Sequence, residues 1–257
     1  REGIRLAICC RNHGTHTMNL SNVSRKKAFL GNITTSVRNE AWKLCRHDKT
    51  ILDVCCGNGL FFLNFQELNR SSSVSHYPQK EETPGNTARD TSPIPLQEDG
   101  KREGKRVLIG VDRSDDLLKE AKKIFQDNTI CGVELLRCNA FQLPFKSNAF
   151  DRVVCVNTLL NLPSLDAIET LILELMRVCK AGGKLVIDIR NRRNPYIRWR
   201  YRLHAKKEKF PVKAYKVEEL EDIICRHGFS CTKIMPIGCP LKFCAKAFLI
   251  EASSSNL

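Results

Sequence analysis

The sequence predicts an α/β fold in which apolar strands alternate with amphipathic helices around a mostly parallel sheet. Short apolar runs rich in β-branched residues recur along the chain, and most are followed by segments with helical periodicity. The first run, at 50–55, leads into a turn that carries Gly57 and Gly59. A strand, a glycine turn and a helix are typical of sheets that bind a nucleotide at the carboxyl ends of their strands. The 257 residues suffice for one such domain with appendages.

The remaining elements follow from the same patterns. Strands are predicted at 50–55, 106–112, 133–138, 151–156 and 183–189, with a closing antiparallel pair at 229–234 and 242–251. Helices are predicted at 37–46, 60–68, 165–180 and 215–227, and another begins after Ser114, a residue type that caps helices. Gly182 and Gly183 are expected to end the helix at 165–180 and to start the fifth strand.

The chain divides into an extension and one interrupted domain. Residues 1–35 show no sustained period and predict a loosely ordered N-terminal extension, whereas 36–257 form the domain. Residues 69–104 are rich in Ser, Pro and charges, and they predict a disordered insertion. Asp112 lies 53 residues beyond Gly59, but only 17 once the 36 inserted residues are removed. That spacing is close to the ~20 residues expected between a glycine turn and a ribose-binding acid.

Composition excludes several classes of protein. No run reaches the ~18 apolar residues of a membrane helix, and we expect a cytoplasmic protein. The thirteen cysteines are odd in number and include no C-x-x-C pair, so they predict buried thiols in a reducing compartment, with no metal site. A formal net charge of +14 indicates an anionic substrate or nucleic acid as a candidate partner.

The segment Asp53-Val54-Cys55-Cys56-Gly57-Asn58-Gly59 carries the clearest functional signal. A carboxylate at the end of the first strand suits a ligand with positive charge and hydrogen-bond donors better than a pyrophosphate. The segment resembles motif I of the class I S-adenosylmethionine-dependent methyltransferases, in which ubiquinone/menaquinone-type members also carry cysteine in the first glycine slot. An NAD site would place a third glycine where Phe62 stands.

The resemblance extends from Ile51 to about Glu251, and it implies a seven-stranded Rossmann-like sheet with an antiparallel C-terminal strand and helices on both faces. It also implies S-adenosyl-L-methionine as the cofactor. The residues predicted to bind it are Asp53, Cys55, Gly57, Asn58, Gly59, Asp112, Arg113, Asn139, Ala140 and Asn157.

The resemblance implies individual roles for some of these residues. Asp112 corresponds to the acid that accepts hydrogen bonds from both ribose hydroxyls, although taken alone it could be a solvated strand end. Asn139 stands where an aspartate usually meets the adenine amino group, and Asn157 begins the segment that borders the methionine part. That segment has Leu160-Asn161 in place of the common acid–histidine pair, so no catalytic base is assigned.

A strongly basic stretch at 190–209 follows the fifth strand, where the family often inserts substrate-recognition elements. The residues predicted to contact the acceptor are Arg192, Arg193, Arg198, Trp199 and Arg200. Guanidinium groups can hold an anionic headgroup, and neighbouring aromatic side chains can stack on rings. The alternative is a solvated loop whose charges confer solubility. Asn194-Pro195-Tyr196 is interpreted as a turn.

The resemblance implies methyl transfer, and with the basic stretch it predicts a small-molecule, glycan or lipid-precursor acceptor that carries negative charge. An RNA methyltransferase is an alternative that only the positive charge supports. A non-catalytic S-adenosylmethionine-binding module is another, because the acid–histidine pair is missing. An NAD-linked oxidoreductase is disfavoured by Phe62. The oligomeric state and the acceptor atom stay open.

Overall fold

The computed structural model describes residues 33–65, 106–207 and 212–254, which form a sheet flanked by helices. Its centre is a seven-stranded sheet in the order β3-β2-β1-β4-β5-β7-β6. The strands are β1 (Thr50–Val54), β2 (Val107–Asp112), β3 (Val133–Arg137), β4 (Phe150–Cys155), β5 (Cys179–Arg190), β6 (Phe229–Ile237) and β7 (Ala247–Ser254). β7 runs antiparallel to both β5 and β6, whereas β1 to β5 pair in parallel. The predicted fold class is confirmed.

In the described ranges five helices flank the sheet, and all but the fourth lie at predicted places. They are α1 (Ile33–Cys45), α2 (Asp115–Asp127), α3 (Leu165–Val178), α4 (Pro195–Lys207) and α5 (Val217–Arg226), with short 3-10 turns at Phe62–Phe65 and Leu159–Asn161. Of the helix predicted at 60–68, the structure describes only the first of these 3-10 turns. The insertion at 69–104 and residues 1–32 of the predicted extension lie outside the described residues.

The sheet separates two apolar cores. Side chains alternate along a strand, so β1 sends Leu52 and Val54 into one core and Ile51 into the other. The first core also takes the buried face of α3, and the second takes the buried faces of α1 and α2. These buried strands explain the near-continuous apolar runs in the sequence, because a parallel sheet is covered on both faces.

The strand order places a crevice at the carboxyl end of β1. β1 lies between β2 and β4, with Asp53 opposite Gly110 on one side and Val154 on the other. The strand that follows β1 in the chain, β2, therefore lies on one side of it, and β4 lies on the other. Open α/β sheets bind their ligands where the strand order changes direction in this way.

Two predicted boundaries are wrong. α3 ends at Val178, and β5 begins at Cys179 and continues through both glycines, so Gly182 and Gly183 do not separate the helix from the strand. Cys179 already pairs with Phe150 of β4 before a shift in register. Pairing with β4 overrides the local preference of the glycine pair for a helix end.

Most of the basic stretch forms α4, so the alternative of a solvated loop is wrong for residues 195–207. Asn194 does not lie in a free turn. Its Oδ1 accepts a hydrogen bond from the Ile197 backbone N–H at 3.1 Å, and Pro195 takes the first helical position. Asparagine before a helix and proline at its first residue are both favourable there.

Candidate cofactor-binding site

The turn after β1 has a backbone that most residues adopt only with strain. Cys55, Gly57 and Gly59 have φ angles of 59°, 58° and 72°. A Cβ added to Gly57 would meet no atom within 4 Å, whereas one added to Gly59 would lie 2.6 Å from the ring of Phe125. Gly59 therefore allows α2 to pack closely against the turn, and Gly57 leaves open space beside the backbone.

Asp53 is a nearly fully buried carboxylate at the end of β1, with 3% of its surface exposed. Burial raises the pKa of its carboxyl group, and the Asp112 charge adds to the increase, while the Arg38 guanidinium on α1 opposes it. Among the described residues, no donor forms a hydrogen bond with this carboxylate. A buried carboxylate without a donor is costly, and an ammonium group that entered the crevice would complete it.

Arg38 was not found from the sequence. Burial lowers the pKa of its guanidinium, and the Asp53 charge opposes that decrease. The sequence predicted the helix that carries Arg38, but an arginine on an amphipathic helix gives no sign of the strand that it will face. Arg38 and Asp53 together offer one positive and one negative group, as a zwitterionic amino-acid moiety requires.

Asp112 joins the turn after β1 to the end of β2. Its Oδ2 accepts a hydrogen bond from the Gly57 backbone N–H, and its Oδ1 accepts one from the Ser114 backbone N–H, each at 2.9 Å. Each carboxylate oxygen keeps a second lone pair, so the group can still accept two hydroxyl donors. The side chain of the neighbouring Arg113 is exposed, and its carbonyl accepts from Arg137 Nε at 3.3 Å.

Asn139 and Ala140 follow β3 directly beside Asp112. The Cys138 backbone N–H donates to the Asp112 carbonyl at 3.0 Å, which brings the two strand ends together. Asn139 is exposed, and its Oδ1 accepts from the Phe141 N–H at 3.2 Å, so the side chain is held in a local turn. Ala140 is buried against the core.

Asn157 lies just beyond β4 with a left-handed φ of 60°. Its backbone N–H donates to Asp188 Oδ1, and its own Oδ1 accepts from Arg190 Nη2 at 2.7 Å. Its Nδ2 donates to the Thr34 carbonyl at 3.3 Å, which links the segment to α1. These contacts fix the backbone after β4, the part of Asn157 that was predicted to border the cofactor.

Asp188 and Arg190 form a buried ion pair on β5, with 1% and 4% of their surfaces exposed. Burial raises the pKa of the Asp188 carboxyl, and the Arg190 charge opposes the increase. The expectation that the whole stretch 190–209 could be solvated is therefore wrong for Arg190. Both side chains were missed as site residues, although their i, i+2 spacing places them on the same face of the strand.

The side chains of Asn58 and Cys55, two further residues predicted to bind the cofactor, form hydrogen bonds with other side chains of the protein. Asn58 Nδ2 donates to Glu120 Oε1 of α2 at 3.0 Å. A hydrogen bond with the Cys155 thiol, together with burial, raises the pKa of the Cys55 thiol. Cys55 therefore stays protonated and is not a nucleophile. Backbone atoms of the turn remain available to a ligand at both positions.

The predicted acceptor contacts lie outside this crevice. Arg192 and Arg193 are exposed and pair with Glu219 and Glu218, at 3.5 Å and 3.1 Å. The other three, Arg198, Trp199 and Arg200, point outward from α4.

The inner side of α4 faces the site through a different residue, Tyr201. Burial raises the pKa of the Tyr201 hydroxyl, the Asp188 charge also raises it, and the Arg190 guanidinium, which forms a hydrogen bond with it, opposes the increase.

Comparison with known families agrees with this geometry. Residues 29–213 match the model of the ubiE/COQ5 methyltransferase family. The chain belongs to this family. The matched region contains the β1 turn, Asp112, Asn157 and the Asp188–Arg190 pair, and it ends before α5.

Curated relatives match over a similar length of the chain. The chain is 27% identical over 172 residues to the demethylmenaquinone methyltransferase of Oceanobacillus iheyensis, which covers 64% of this chain and 57% of that protein. It is 34% identical over 171 residues to the Bacillus cereus protein of the same name, with the same coverage. The chain thus spans little more than half the length of these relatives.

Solved structures establish the fold. The magnesium protoporphyrin IX methyltransferase of Synechocystis, with bound SAH, aligns with a TM-score of 0.58 at 14% identity, over 91% of this chain and 89% of that one. A possible histamine N-methyltransferase of Thermotoga maritima aligns with a TM-score of 0.56 at 19% identity, over 90% of each chain. The predictions of a class I S-adenosylmethionine-dependent methyltransferase and of its cofactor are confirmed at the level of family and fold.

Membrane-spanning helices and metal-binding clusters are both absent from the described residues. No helix in the ranges 33–65, 106–207 and 212–254 is long and apolar enough to cross a membrane. Within the same ranges, no cluster of three His, Cys, Asp or Glu side chains is arranged to hold a metal ion.

Proposed function

We propose that this chain transfers a methyl group from S-adenosylmethionine to a small quinone-type acceptor, of the class that demethylmenaquinone represents. Two relatives that carry that name support the acceptor class, and the family supports the reaction. The observation that carries the proposal is the buried carboxylate of Asp53 beside Arg38, to which no described residue donates a hydrogen bond. It lies next to a glycine turn that Asp112 braces.

The residues of the crevice fit the cofactor's functional groups one by one. Asp53 would hold the ammonium of the methionine part and Arg38 its carboxylate, because each provides the opposite charge in a site removed from water. Asp112 would accept the two ribose hydroxyls through the lone pairs that its backbone contacts leave free. Asn139 and the Ala140 backbone N–H would meet the adenine edge.

The bound cofactor supplies a methyl group on a positively charged sulfur, which is already activated for transfer. The protein therefore needs chiefly to place the acceptor in line and to exclude water. Asn157, fixed by Asp188 and Arg190, forms the wall after β4. Tyr201 lies on the other side of Arg190, and because burial keeps its hydroxyl protonated, it can donate a hydrogen bond to an acceptor oxygen.

An aromatic ring carbon becomes nucleophilic when a ring hydroxyl loses its proton to solvent. That carbon would take the methyl group as the sulfur–methyl bond breaks, and its own proton would then return to the ring oxygen through solvent. A hydrogen bond from Tyr201 to that oxygen, in the field of the Arg190 guanidinium, would stabilise the ionised ring. In this proposal Tyr201 contacts the acceptor and Arg190 positions Tyr201 and Asn157. The contacts predicted for Arg198, Trp199 and Arg200 stay predictions for the outer part of the acceptor.

The test is a methylation assay with isotopically labelled S-adenosylmethionine. Its substrates are a reduced short-chain prenylated naphthoquinone without the ring methyl group, a total RNA preparation and a glycan mixture, and the products are identified by mass spectrometry. We expect label in the naphthoquinol, none after Asp53→Asn, and a turnover reduced at least tenfold in Tyr201→Phe. Tyr196→Phe, a change of the same kind on the outer part of α4, is the matched control and should keep the parent's turnover.

Other outcomes would overturn the proposal. Label in RNA would favour the nucleic-acid alternative, and label in glycan would move the acceptor to that class. Cofactor binding without label in any substrate would favour a non-catalytic binding module. Equal turnover of Tyr201→Phe and Tyr196→Phe would remove Tyr201 from the acceptor site.

A further inference from the structure

Large apolar side chains are exposed mainly at one place on the described surface. Six such side chains are exposed, and four of them come from two segments, α4 and the loop between β6 and β7. Trp199 and Leu203 of α4 expose 58% and 39% of their surfaces, and Leu241 and Phe243 of the loop expose 56% and 64%. The other two, Leu165 and Leu173, lie on α3.

Buried asparagines hold the two segments together. Asn194 Nδ2 donates to the Cys244 carbonyl at 2.7 Å, and Asn191 Nδ2 donates to the Lys242 and Ala245 carbonyls at 3.1 Å and 2.8 Å. These bonds, and the contact of Lys246 with the Tyr196 ring, join the two segments. We call the exposed side chains of residues 196–203 and 241–246 together the apolar–basic face.

Aromatic and cationic groups are interleaved on this face. The rings of Tyr196 and Trp199 lie 6.2 Å apart, and the Lys246 ammonium lies 5.8 Å from the centroid of the Tyr196 ring. Arg200 Nη1 donates to the Tyr196 hydroxyl at 3.3 Å. These contacts order the centre of the face without covering it.

The positive charge of the face is not neutralised by the residues that the structure describes. Within those ranges, no carboxylate pairs with Arg198, Arg200 or Lys242. By contrast, Arg192 and Arg193, just before α4, are matched by glutamates of α5. The face thus offers exposed apolar side chains together with cations with which no described carboxylate pairs.

We propose that the apolar–basic face docks this protein on the surface of an anionic phospholipid bilayer. Tryptophan and phenylalanine partition into the headgroup region of bilayers, leucines add buried apolar area, and each cation near an anionic surface contributes further attraction. RNA fits less well, because Leu203 and Leu241 cannot stack on bases. A second copy of this chain also fits less well, because docking through the same face would bring like charges together.

The position of α4 gives this docking a consequence for the site. The inner side of the helix buries Ile197 and brings Tyr201 to Arg190, while its outer side carries Trp199 and the exposed arginines. Docking would therefore turn the acceptor side of the crevice toward the bilayer. The inference goes beyond the proposed reaction and does not depend on which acceptor is methylated.

The test is co-sedimentation of the full chain with vesicles, without cofactor or acceptor. Vesicles of phosphatidylcholine alone are compared with vesicles that also contain phosphatidylglycerol. We expect binding to the anionic vesicles only, weakened as salt rises because of screening. The double variant Trp199→Ser/Phe243→Ser should bind at least tenfold more weakly, and Arg198→Gln/Arg200→Gln should lose the preference for anionic lipid.

The matched control is Leu165→Ser/Leu173→Ser, which removes two exposed apolar side chains from α3 and should bind like the parent. Equal melting temperatures of all variants exclude unfolding as the cause of any difference. No binding by the parent, equal binding to both vesicle types, or an equal loss in the control would overturn the inference. So would release of the protein from vesicles by RNA, or a dimer in light scattering that Trp199→Ser dissociates. Failure here would leave the methylation assay unaffected, since that assay contains no vesicles.

Discussion

Replacing Asp112 with alanine removes the carboxylate that joins the turn after β1 to the end of β2. In the parent this group accepts two backbone hydrogen bonds at 2.9 Å, from Gly57 and Ser114, and is 7% exposed. Leaving a partly buried N–H without an acceptor costs about 1–3 kcal/mol. We therefore expect the free energy of unfolding of Asp112→Ala to fall by roughly 2–4 kcal/mol, because both donors lose their acceptor and solvent recovers part of the loss.

Asp112→Ala should also weaken cofactor binding directly, because the ribose hydroxyls lose their charged acceptor. Hydrogen bonds to a charged acceptor contribute roughly 1.5–3 kcal/mol, which corresponds to a loss of affinity of about 10- to 150-fold. Asp112→Asn should lose less affinity, because one acceptor oxygen remains.

Affinity is measured by calorimetry with S-adenosylhomocysteine, and stability by chemical denaturation. Asp115→Ala is the control, since Asp115 is a half-exposed aspartate three residues away that pairs with Arg137 at 2.7 Å. If Asp112→Ala loses stability but binds the ligand like the parent, Asp112 is only a brace and the ribose role is wrong.

The remaining predictions concern charge, backbone strain and a buried ion pair. The pKa of Asp53 is raised in the free protein, so its carboxyl group must lose a proton before it can pair with the ammonium group of the ligand. Affinity should therefore rise with pH through the raised pKa, and Asp53→Asn should abolish this dependence. Gly59→Ala should destabilise by about 2–3 kcal/mol, since its Cβ would lie 2.6 Å from an aromatic ring, whereas Gly57→Ala should cost only about 1 kcal/mol of backbone strain. Arg152→Met should destabilise by about 3 kcal/mol, because it leaves the buried Glu251 without a guanidinium that lies 2.7 Å away.

Each of these has its own check. Calorimetry across pH would contradict the first if the parent and Asp53→Asn showed the same slope. Equal melting temperatures of the two glycine variants would show that close packing on α2 does not distinguish them. Denaturation of Arg152→Met together with Arg152→Met/Glu251→Leu tests the third, because the double variant should recover stability. No recovery would mean that the loss of this ion pair, which leaves Glu251 with Lys184 at 3.1 Å as its cationic partner, is not the cause.

Local patterns predicted most of the fold because they depend on near neighbours in the chain. The alternation of buried strands and amphipathic helices gave the described strands, and every described helix except α4, their approximate places. Ser114 caps α2 as expected, with its Oγ accepting from the Leu117 N–H at 3.3 Å. Asp112 and the glycine turn were found because their spacing in sequence is itself part of the site.

Long-range pairing explains what the sequence did not reveal. Arg38 meets Asp53 only because α1 folds back over the end of β1. The Asp188–Arg190 pair reaches Asn157 across two strands, a contact that no single segment encodes. The start of α4 was missed because asparagine and proline favour turns and helix starts alike, and tertiary packing selects between them.

The most direct test of the central claim is a ligand titration of the parent protein by calorimetry. We predict that S-adenosylmethionine and its demethylated product each bind at one site per chain and that NAD does not bind. Arg38→Met and Asp53→Asn should each weaken the binding. Binding of NAD, with no response to either methionine-derived ligand, would contradict it.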